Sequence, residues 1–256
     1  MKLATWNVNS IRMREGLVLD WLGRVAPDLL LLQEIKCENA QFPAMDFAGL
    51  GYTAHVVGQK SYNGVAVLTR IPATVTHRAL PGLPDGDVQA RYIEVDAGGM
   101  TVGNLYLPNG NSGGDAGYAY KLAWMERLAA RARTLLDDDR PCVFAGDYNV
   151  CPTDEDFHQG TLPGTDALVR PETRQAYRAM VNLGLTDAVR ALHPHGPVWT
   201  FWDYQAGAWN RDHGLRIDHA LVSPDLAERL VTAAPDKAER GMTQPSDHVP
   251  VVFEFA

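Results

Sequence analysis

A carboxylate and an amide follow an apolar run in the middle of the chain, in the stretch RPCVFAGDYNV. Residues 142–145 form a short apolar run after a proline, which is typical of a strand in a covered sheet. Asp147 and Asn149 come directly after this run and Gly146. Taken alone, Asp and Asn beside a glycine are ordinary turn residues, because their side chains bond their own backbone. The pattern indicates chemistry only if it recurs elsewhere in the chain.

The same pattern occurs twice near the N-terminus. The apolar run 3–6 leads into Asn7 and Asn9, and the leucines 29–32 lead within two residues to Glu34. A buried carboxylate without a partner would take up a proton instead of remaining charged. Glu34 is therefore expected to lie beside a cation or in a wet cleft.

Two further runs, near the C-terminus, carry ionisable residues. GLRIDHALVS places Asp218 inside a strand-like run, and PSDHVPVVFEF places Asp247 and His248 directly before the last run. Carboxylates in strand-like runs conflict with β propensity, and such local conflicts are expected at functional sites. We therefore expect the five runs together to contribute to one site.

The combined set is rich in the oxygen ligands that Mg²⁺ and Mn²⁺ prefer. Its carboxylates and amides are Asn7, Asn9, Glu34, Asp147, Asn149, Asp218 and Asp247. The sequence has no H-E-x-x-H motif or Cys/His spacing typical of zinc, and no G-x-S-x-G motif of a serine hydrolase. A single imidazole, His248, among carboxylates predicts an Asp–His pair that holds a positive charge against a phosphate. These residue types together favour metal-assisted hydrolysis of a phosphate ester.

The elements that must position these residues alternate irregularly between helices and strands. Apolar periodicity and caps predict helices over residues 14–25, 115–136, 171–183 and 224–230. The arginines of the longest helix, Arg131 among them, are predicted to face water. Strands are predicted over 64–69, 90–95 and 101–107, the last two joined as a hairpin across 96–99. Hairpins mixed with helical crossovers favour two packed sheets covered by helices over one doubly wound parallel sheet.

Composition indicates an ordinary soluble globular protein of 256 residues, 46% hydrophobic and 21% charged. No linker, charge block or repeat divides the chain, and the candidate site draws on both of its ends, so we expect one domain over residues 1–256. Three cysteines without a C-x-x-C pair favour a reducing compartment. No signal-like segment or apolar run of about 18 residues is present. We therefore expect a cytoplasmic protein, a monomer, that does not bind a membrane.

Six motifs follow one another along nearly the whole chain: TWNVNSIR, LLQEIK, NLYLPNG, GDYNV, GLRIDH and SDHVPV. In this order they resemble the motifs of the endonuclease/exonuclease/phosphatase superfamily, and more closely those of the exodeoxyribonuclease III family of bacterial apurinic/apyrimidinic endonucleases. Their order and their spread over nearly the whole chain make the match specific, whereas any one alone would be weak. The resemblance implies an α/β fold, a four-layer α/β sandwich of two mixed β-sheets packed face to face and flanked by helices. It places the site at one rim of the sheets.

The resemblance also implies roles for the candidate residues around a Mg²⁺ or Mn²⁺ cofactor. Glu34 would be the main metal ligand, with Asn7 and Asp247 as further ligands. Asn9, Asp147 and Asn149 are candidates for a second metal or for the outer shell of the first, and the number of ions stays open.

The catalytic roles implied by the resemblance fall on five residues. Tyr106 and Asn149 would contact the scissile phosphate, and Asp147 would orient or deprotonate the attacking water. His248 would bind the phosphate while Asp218 holds its ring. A metal, an imidazolium and neutral donors are what a phosphodiester needs, because charge builds on its equatorial and leaving oxygens.

A net charge of −8 runs against the basic surface expected of a duplex binder. Arg12, Arg91 and Lys121 lie near the motifs and are therefore the predicted cationic contacts with DNA. The segment TFWDYQAGAWNRDHG supplies an apolar pocket or wedge for an abasic site. Its predicted DNA contacts are Phe201, Trp202, Trp209 and Leu215. For Trp202, a hairpin packed by its own tryptophans stays an open alternative.

The predicted function is a Mg²⁺-dependent DNA repair nuclease that cuts 5′ to abasic sites in double-stranded DNA. Activity on 3′ ends, as a 3′→5′ exonuclease, 3′-phosphatase or 3′-phosphodiesterase, stays open. The loop over residues 151–164 has three acids and no basic residue, unlike some family members, and this weakens the case for strong exonuclease action. The alternative is a phosphomonoesterase or a lipid or inositol phosphodiesterase of the same superfamily. GLRIDH and the aromatic segment favour a nuclease.

Overall fold

The computed structural model describes residues 1–256, and its strands form two mixed six-stranded sheets. The first sheet contains, in spatial order, β11 (Leu230–Pro235), β12 (Val251–Phe255), β1 (Lys2–Asn7), β2 (Leu29–Gln33), β4 (Val65–Thr69) and β3 (Thr53–Val57). Only β1 and β2 run parallel, and every other neighbouring pair in this sheet is antiparallel.

The second sheet repeats this arrangement of one parallel pair with antiparallel flanks. It contains, in spatial order, β5 (Ala73–His77), β6 (Tyr92–Ala97), β7 (Met100–Tyr106), β8 (Cys142–Asp147), β10 (Asp218–Val222) and β9 (Thr186–Asp187). The parallel pair is β7 and β8. The predicted hairpin is confirmed, since β6 and β7 are antiparallel neighbours joined across Gly98 and Gly99.

Six α-helices pack around the two sheets. They are α1 (Ile11–Val25), α2 (Ala44–Gly49), α3 (Gly114–Asp137), α4 (Pro171–Asn182), α5 (Ala188–Leu192) and α6 (Pro224–Glu228). The first four cover the outer faces of the sheets, whereas α5 and α6 contribute to the cluster between them. One apolar cluster, from α1, α2 and the first sheet, and another, from α3, α4 and the second sheet, form the outer interfaces. A third cluster of 21 buried residues draws on strands of both sheets, which therefore pack face to face. The four-layer α/β fold predicted from the motifs is confirmed.

The leucine run 29–32 shows why an uninterrupted apolar strand suits this architecture. Successive side chains of a strand point to opposite faces of its sheet. Leu29 and Leu31 accordingly pack in the cluster between the sheets, whereas Leu30 and Leu32 pack beneath the helices. All four are fully buried, because β2 is covered on both faces.

The two parallel pairs bring the candidate residues to one rim of the sandwich. α1 connects β1 with β2, and α3 connects β7 with β8, so the strands of each pair end at the same edge. Asn7 ends β1 and Glu34 follows β2, while Tyr106 and Asp147 end β7 and β8. Asp218, the first residue of β10, is paired with Asp147 in the antiparallel register.

Three details differ from the sequence predictions. α1 begins at Ile11 instead of residue 14, so Arg12 already belongs to the helix. α6 ends at Glu228, because Leu230 begins β11. Arg131 does not face water: its guanidinium makes two hydrogen bonds, of 2.8 and 2.9 Å, to the buried carboxylate of Glu94 on β6.

The cysteines and the helices bear on two further expectations. All three cysteines, Cys37, Cys142 and Cys151, are buried and free, which agrees with the expected absence of a disulfide framework. None of the helices combines the length and the apolar character needed to cross a lipid bilayer.

Candidate active site

Asn7 joins the two sheets at the rim. Its Nδ2 donates to Glu34 Oε1 at 2.8 Å and to Asp147 Oδ2 at 3.0 Å. Its Oδ1 accepts the backbone N–H of Asn9 at 3.0 Å, which fixes the orientation of the amide. Asn7 is fully buried, so it holds two carboxylates from different sheets at a fixed separation.

Glu34 leaves the end of β2 in a left-handed backbone conformation, with φ 49°. Lys36 Nζ lies 2.8 Å from its Oε2 and 2.5 Å from Asn9 Oδ1. Burial opposes ionisation of Glu34, but the nearby Lys36 ammonium and the Asn7 hydrogen bond outweigh it and lower the pKa of this carboxyl. The sequence expectation of a cation beside Glu34 is confirmed, and its partner is Lys36.

Asp247 lies beside Asn9 at one edge of the site. Asn9 Nδ2 donates to Asp247 Oδ1 at 3.1 Å, and the neighbouring Ser246 hydroxyl donates to the backbone carbonyl of Asn7 at 2.7 Å. These contacts tie the segment before β12 to the end of β1. The structure thus connects Asp247 to the Glu34 carboxylate through Asn9 and Lys36.

His248 and Asp218 form the pair predicted from GLRIDH and SDHVPV. His248 Nδ1 lies 2.9 Å from Asp218 Oδ2, and both side chains are buried. Thr200 donates its hydroxyl to the same Asp218 oxygen at 2.6 Å and accepts the backbone N–H of Asp218. Burial lowers the pKa of His248, but Asp218 and Asp147 together outweigh it and raise the value to about 10. The ring is therefore an imidazolium at neutral pH.

Asp147 occupies the centre of the group. Its Oδ1 accepts the backbone N–H of Asn149 at 2.9 Å, and its Oδ2 lies 3.7 Å from His248 Nε2. Burial raises the pKa of Asp147 to about 7, in spite of the favourable charge of His248. The preceding Gly146 has φ 153°, and a Cβ there would lie 1.9 Å from the Leu105 carbonyl oxygen, so only glycine fits.

Asn149 lies behind Asp147 and is engaged by protein groups. Its Oδ1 accepts from Asn109 Nδ2 at 2.9 Å, and its Nδ2 donates to the Leu107 carbonyl at 3.0 Å. Lys121 donates from Nζ to the backbone carbonyls of Asn109 at 2.9 Å and Asn149 at 2.6 Å. Asn109 itself is exposed at the rim.

Lys121 was predicted to contact DNA, and this prediction is wrong. The residue is fully buried and cannot contact DNA at the surface. Burial lowers the pKa of its ammonium to about 7. Its two carbonyl partners belong to the loops that carry Asn109 and Asn149. The residue therefore fixes the floor of the site.

Tyr106 and Arg91 lie together on the other side of Asp147. The Arg91 guanidinium carbon lies 4.8 Å from the centroid of the Tyr106 ring, and its Nη1 donates to the Tyr106 carbonyl at 3.2 Å. Burial and the carboxylates of Glu34 and Asp147 raise the pKa of the phenol. Tyr106 is consequently a neutral hydrogen-bond donor at any physiological pH.

The aromatic segment contributes unequally to the rim. Phe201 is half-buried, with its ring centroid 4.9 Å from that of His248, and it pairs with Leu215 through backbone hydrogen bonds. Trp202 is fully buried, donates from Nε1 to Asp212 at 3.0 Å and packs edge-on against Trp209. The structure therefore confirms the alternative interpretation of Trp202. The segment folds back on itself between Phe201 and Leu215, and its own tryptophans pack together. Trp202 therefore cannot contact DNA as it lies here.

The other residues predicted to contact DNA differ in how far their side chains are exposed to solvent. Arg12 is exposed on α1, whereas Arg91 and Trp209 are half-buried and Leu215 is buried. The structure thus leaves Arg12, Arg91, Phe201 and Trp209 with accessible surface near the rim.

Side chains at the rim have the composition of a cation site. One ligand atom each from Glu34, Asp147 and His248 lies within 4.8 Å of the other two. Asn7 Nδ2 donates to both carboxylates, and the amide oxygen of Asn9 accepts from Lys36 beside Glu34. Carboxylate and amide oxygens suit a hard divalent cation, so the residues present fit such an ion.

The roles of three residues that hold the site were not predicted from the sequence: those of Lys36, Asn109 and Thr200. Lys36 and Asn109 lie inside the quoted motifs LLQEIK and NLYLPNG, so a signal was available. Thr200 precedes the aromatic segment by one residue, and nothing in its local pattern indicates a bond to Asp218.

Known proteins are similar to this chain along its whole length. The model of the Endonuclease/Exonuclease/phosphatase family matches residues 4–248. Exodeoxyribonuclease III from Haemophilus influenzae is 34% identical over 270 aligned positions, which cover 100% of each chain.

Two solved structures are also similar. An AP endonuclease from Archaeoglobus fulgidus has 37% identity and a TM-score of 0.93, covering 100% of this chain and 99% of its own. The 3′ phosphatase NExo from Neisseria, bound to a product DNA hairpin, has 37% identity, a TM-score of 0.95 and the same coverage. The chain therefore belongs to the endonuclease/exonuclease/phosphatase family, in the exodeoxyribonuclease III branch that its six motifs predicted.

Proposed function

We propose that this chain is a Mg²⁺-dependent DNA repair nuclease that hydrolyses the phosphodiester 5′ to abasic sites in double-stranded DNA. The observation that carries the proposal is the convergence of Glu34, Asp147 and His248 within 4.8 Å at a rim also bordered by Tyr106. Relatives described as exodeoxyribonuclease III and AP endonuclease support DNA as the substrate.

Asp147 is the residue that we assign to the attacking water. Asn7, Asn149 and His248 hold both of its oxygens, so the carboxylate has one orientation. A group with a pKa near 7 is well matched to accept a proton at neutral pH.

His248, Tyr106 and the Asn109–Asn149 pair would bind the phosphate. His248 Nδ1 is occupied by Asp218, which leaves Nε2 to donate towards the substrate. Tyr106 supplies a neutral phenol. Preorganised donors of this kind stabilise the charge that develops on phosphate oxygens.

Glu34, Asn7 and Asp247 are the residues that we propose hold the cation, with Asn9, Asp147 and Asn149 around it. When bound, Mg²⁺ or Mn²⁺ supplies positive charge to the phosphate and leaving oxygens. The excess of negative charge at the rim favours binding of a divalent cation. Four carboxylates lie there, Glu34, Asp147, Asp218 and Asp247, whereas only two cations, Lys36 and His248, are paired with them.

Selection of the abasic site would fall to the apolar surface beside His248. Phe201 lies against the His248 ring and is backed by Leu215, so the site would offer an apolar surface to an abasic sugar. Arg12, Arg91 and Trp209 would contact the flanking backbone and bases.

Activity on 3′ ends is a second candidate function. It is favoured by the similarity to the Neisserian 3′ phosphatase. Such activity needs the same donors, since the scissile bond is again a phosphate ester. The acidic loop 151–164 offers no cation to grip an undamaged 3′ end, so we expect exonuclease action to be the weaker one.

The proposal is tested by incubating the protein with an abasic duplex, a 3′-phosphate duplex, an intact duplex, an inositol phosphate and sphingomyelin. Each substrate is tested with EDTA, Mg²⁺, Mn²⁺ or Zn²⁺. We expect incision 5′ to the abasic site in Mg²⁺ or Mn²⁺ and none in EDTA. Glu34→Gln should be inactive, with Arg24→Gln on the exposed side of α1 as the control. Turnover of only the inositol or lipid substrate, or restoration by Zn²⁺ alone, would refute the proposal.

A further inference from the structure

Arg14, on the first turn of α1, connects three segments of the rim although it is only 7% exposed. Its Nη1 donates to the Asn9 carbonyl at 2.6 Å. Its Nη2 donates to the Tyr204 hydroxyl at 3.0 Å and to the Pro245 carbonyl at 3.2 Å. Tyr204 in turn donates to Pro245 at 2.9 Å, which closes the network.

The backbone at the Asn9 end of this network has an unusual conformation. Asn9 and Ser10 have φ values of 45° and 90°, and asparagine tolerates such a value more readily than serine does. The Ser10 side chain makes no capping hydrogen bond to α1. The Arg14 contact with the Asn9 carbonyl is therefore a direct restraint on this backbone turn.

The restraint reaches the proposed cation site through the Asn9 side chain. Asn9 Nδ2 holds Asp247 Oδ1, and Asn9 Oδ1 accepts from Lys36. Pro245, the other backbone partner of Arg14, lies two residues before Asp247. One guanidinium thus fixes both chain segments that meet in the Asn9–Asp247 hydrogen bond.

The Tyr204 end reaches the surface of the aromatic segment. Tyr204 is 49% exposed, and the Arg240 guanidinium carbon lies 5.1 Å from its ring centroid. The tyrosine is held by its hydroxyl and one ring face, while its other side is open to solvent. It belongs to the same segment as Trp209, on the part of the rim assigned above to DNA.

We infer that Arg14 is a positioning residue that sets the affinity of the Asn9–Asp247 edge for a divalent cation and attaches the Tyr204 loop to it. The inference rests on the proposed function, since it concerns the cation that the function requires. Arginine is needed because its planar fork reaches the Asn9, Tyr204 and Pro245 oxygens together, whereas an ammonium is a single point donor. Loss of such an outer contact typically weakens metal affinity about 10- to 100-fold.

The test measures Mn²⁺ binding to the protein without DNA, by electron paramagnetic resonance, in Arg14→Met and Arg14→Lys. We expect the dissociation constant to rise about 10-fold in Arg14→Met and by less in Arg14→Lys. The cation concentration for half-maximal incision should rise in parallel, whereas kcat at saturating Mn²⁺ should stay within about threefold. Arg24→Met, on the last turn of α1, is the matched control and should bind Mn²⁺ like the wild type.

Tyr204→Phe separates the two ends of the network. It removes the hydroxyl but keeps the Arg14 contact with Asn9, so Mn²⁺ affinity should be unchanged while the KM for DNA rises. Wild-type Mn²⁺ affinity in a folded Arg14→Met protein would overturn the inference. If that variant does not fold, wild-type affinity in Arg14→Lys would do so. A wild-type protein that cuts none of the DNA substrates would instead refute the proposed function.

Discussion

Strand β10 separates two buried polar clusters with opposite character. Asp218 belongs to the rim cluster with His248, while the next residue, His219, belongs to an arginine cluster with Asp156, Asp187, Arg190 and Arg216. In the arginine cluster, Arg216 donates from Nε to Asp156 at 2.6 Å and from Nη1 to Asp187 at 2.8 Å. Every charge there has a partner of opposite sign, whereas carboxylates outnumber cations at the rim.

The histidines of the two clusters show the consequence. Burial and the Arg216 charge lower the pKa of His219 to about 4, and its ring lies between Arg216 and the Val150 carbonyl. His248 is equally buried, yet Asp218 and Asp147 raise its pKa to about 10. Burial disfavours the charged form of both rings, so the signs of the neighbouring charges account for the difference between them. A balanced cluster stabilises the fold, and an unbalanced one creates a demand for an external cation.

The largest effect on turnover is expected from Asp147→Asn. The substitution keeps the shape of the side chain but removes the group assigned to the water, so kcat should fall by about 10³. The affinity for an abasic duplex, measured by fluorescence anisotropy in Ca²⁺, should remain within about threefold. A parallel loss of binding would mean that Asp147 is chiefly a structural turn residue.

The Asp218–His248 pair should show the next largest effect. Asp218→Ala and His248→Ala should each lower kcat by about 10², as expected for removing a positioned charge. Because the residues act as one unit, the double variant should be little worse than the less active single variant. Fully multiplicative losses in this double-mutant cycle would show that the two residues act separately.

The same pair should determine the alkaline limb of the pH profile. His248 is active when protonated, and its raised pKa keeps it protonated until the pH approaches about 10. Asp218→Asn removes the charge that raises this pKa, so the fall in activity should begin at lower pH. An unchanged alkaline limb would indicate that another group controls it.

Lys121→Met should have a smaller effect and tests the correction made by the structure. Loss of the two carbonyl contacts should loosen the Asn109 and Asn149 loops and lower kcat about 10-fold. The salt dependence of DNA binding should not change, because the ammonium is buried. In contrast, Arg12→Ala should reduce the slope of log K against log salt by about 1. A reduced slope in Lys121→Met would contradict the buried assignment.

Arg216→Met should change turnover least and stability most. It leaves Asp187 buried without its guanidinium partner, so the free energy of unfolding should fall by about 3–5 kcal/mol. The kcat of the folded protein should stay within about threefold. Urea unfolding measures the loss, with Arg70→Met as the control, since its pair with Asp28 is exposed and worth about 1 kcal/mol or less. A stable but inactive Arg216→Met protein would show that the arginine cluster contributes to turnover and not to stability, which would contradict this prediction.

The fold and the central site residues were predictable from the sequence for a physical reason. Buried strands such as 29–32 are visible as apolar runs, and the polar residues directly after them lie where the strands leave the apolar core. Parallel connections then bring the ends of β1 and β2, and of β7 and β8, to common edges. Residues tied to strand ends, such as Glu34 and Asp147, therefore follow from local pattern.

The residues that were not predicted are positioned by partners far away in the sequence. Lys121 and Arg131 have the same helical spacing as solvated cations, and only the Asn109 and Asn149 carbonyls and the Glu94 carboxylate make their burial favourable. Thr200 meets Asp218 because the chain returns to Leu215 through backbone hydrogen bonds. A buried polar group is specified by its partner, and no local periodicity contains that information.

The position of β12 has a consequence for the order of events during synthesis. This strand lies between β11 and β1, and His248 and Asp247 immediately precede it. β1 therefore remains without its antiparallel neighbour until β12, which lies far along the chain, has been made and has docked. Until then, Asn7 and Glu34 exist without the imidazolium and without Asp247. A chain in which β12 has not yet docked would consequently lack two of the rim residues, and the complete set would assemble only when β12 pairs with β1.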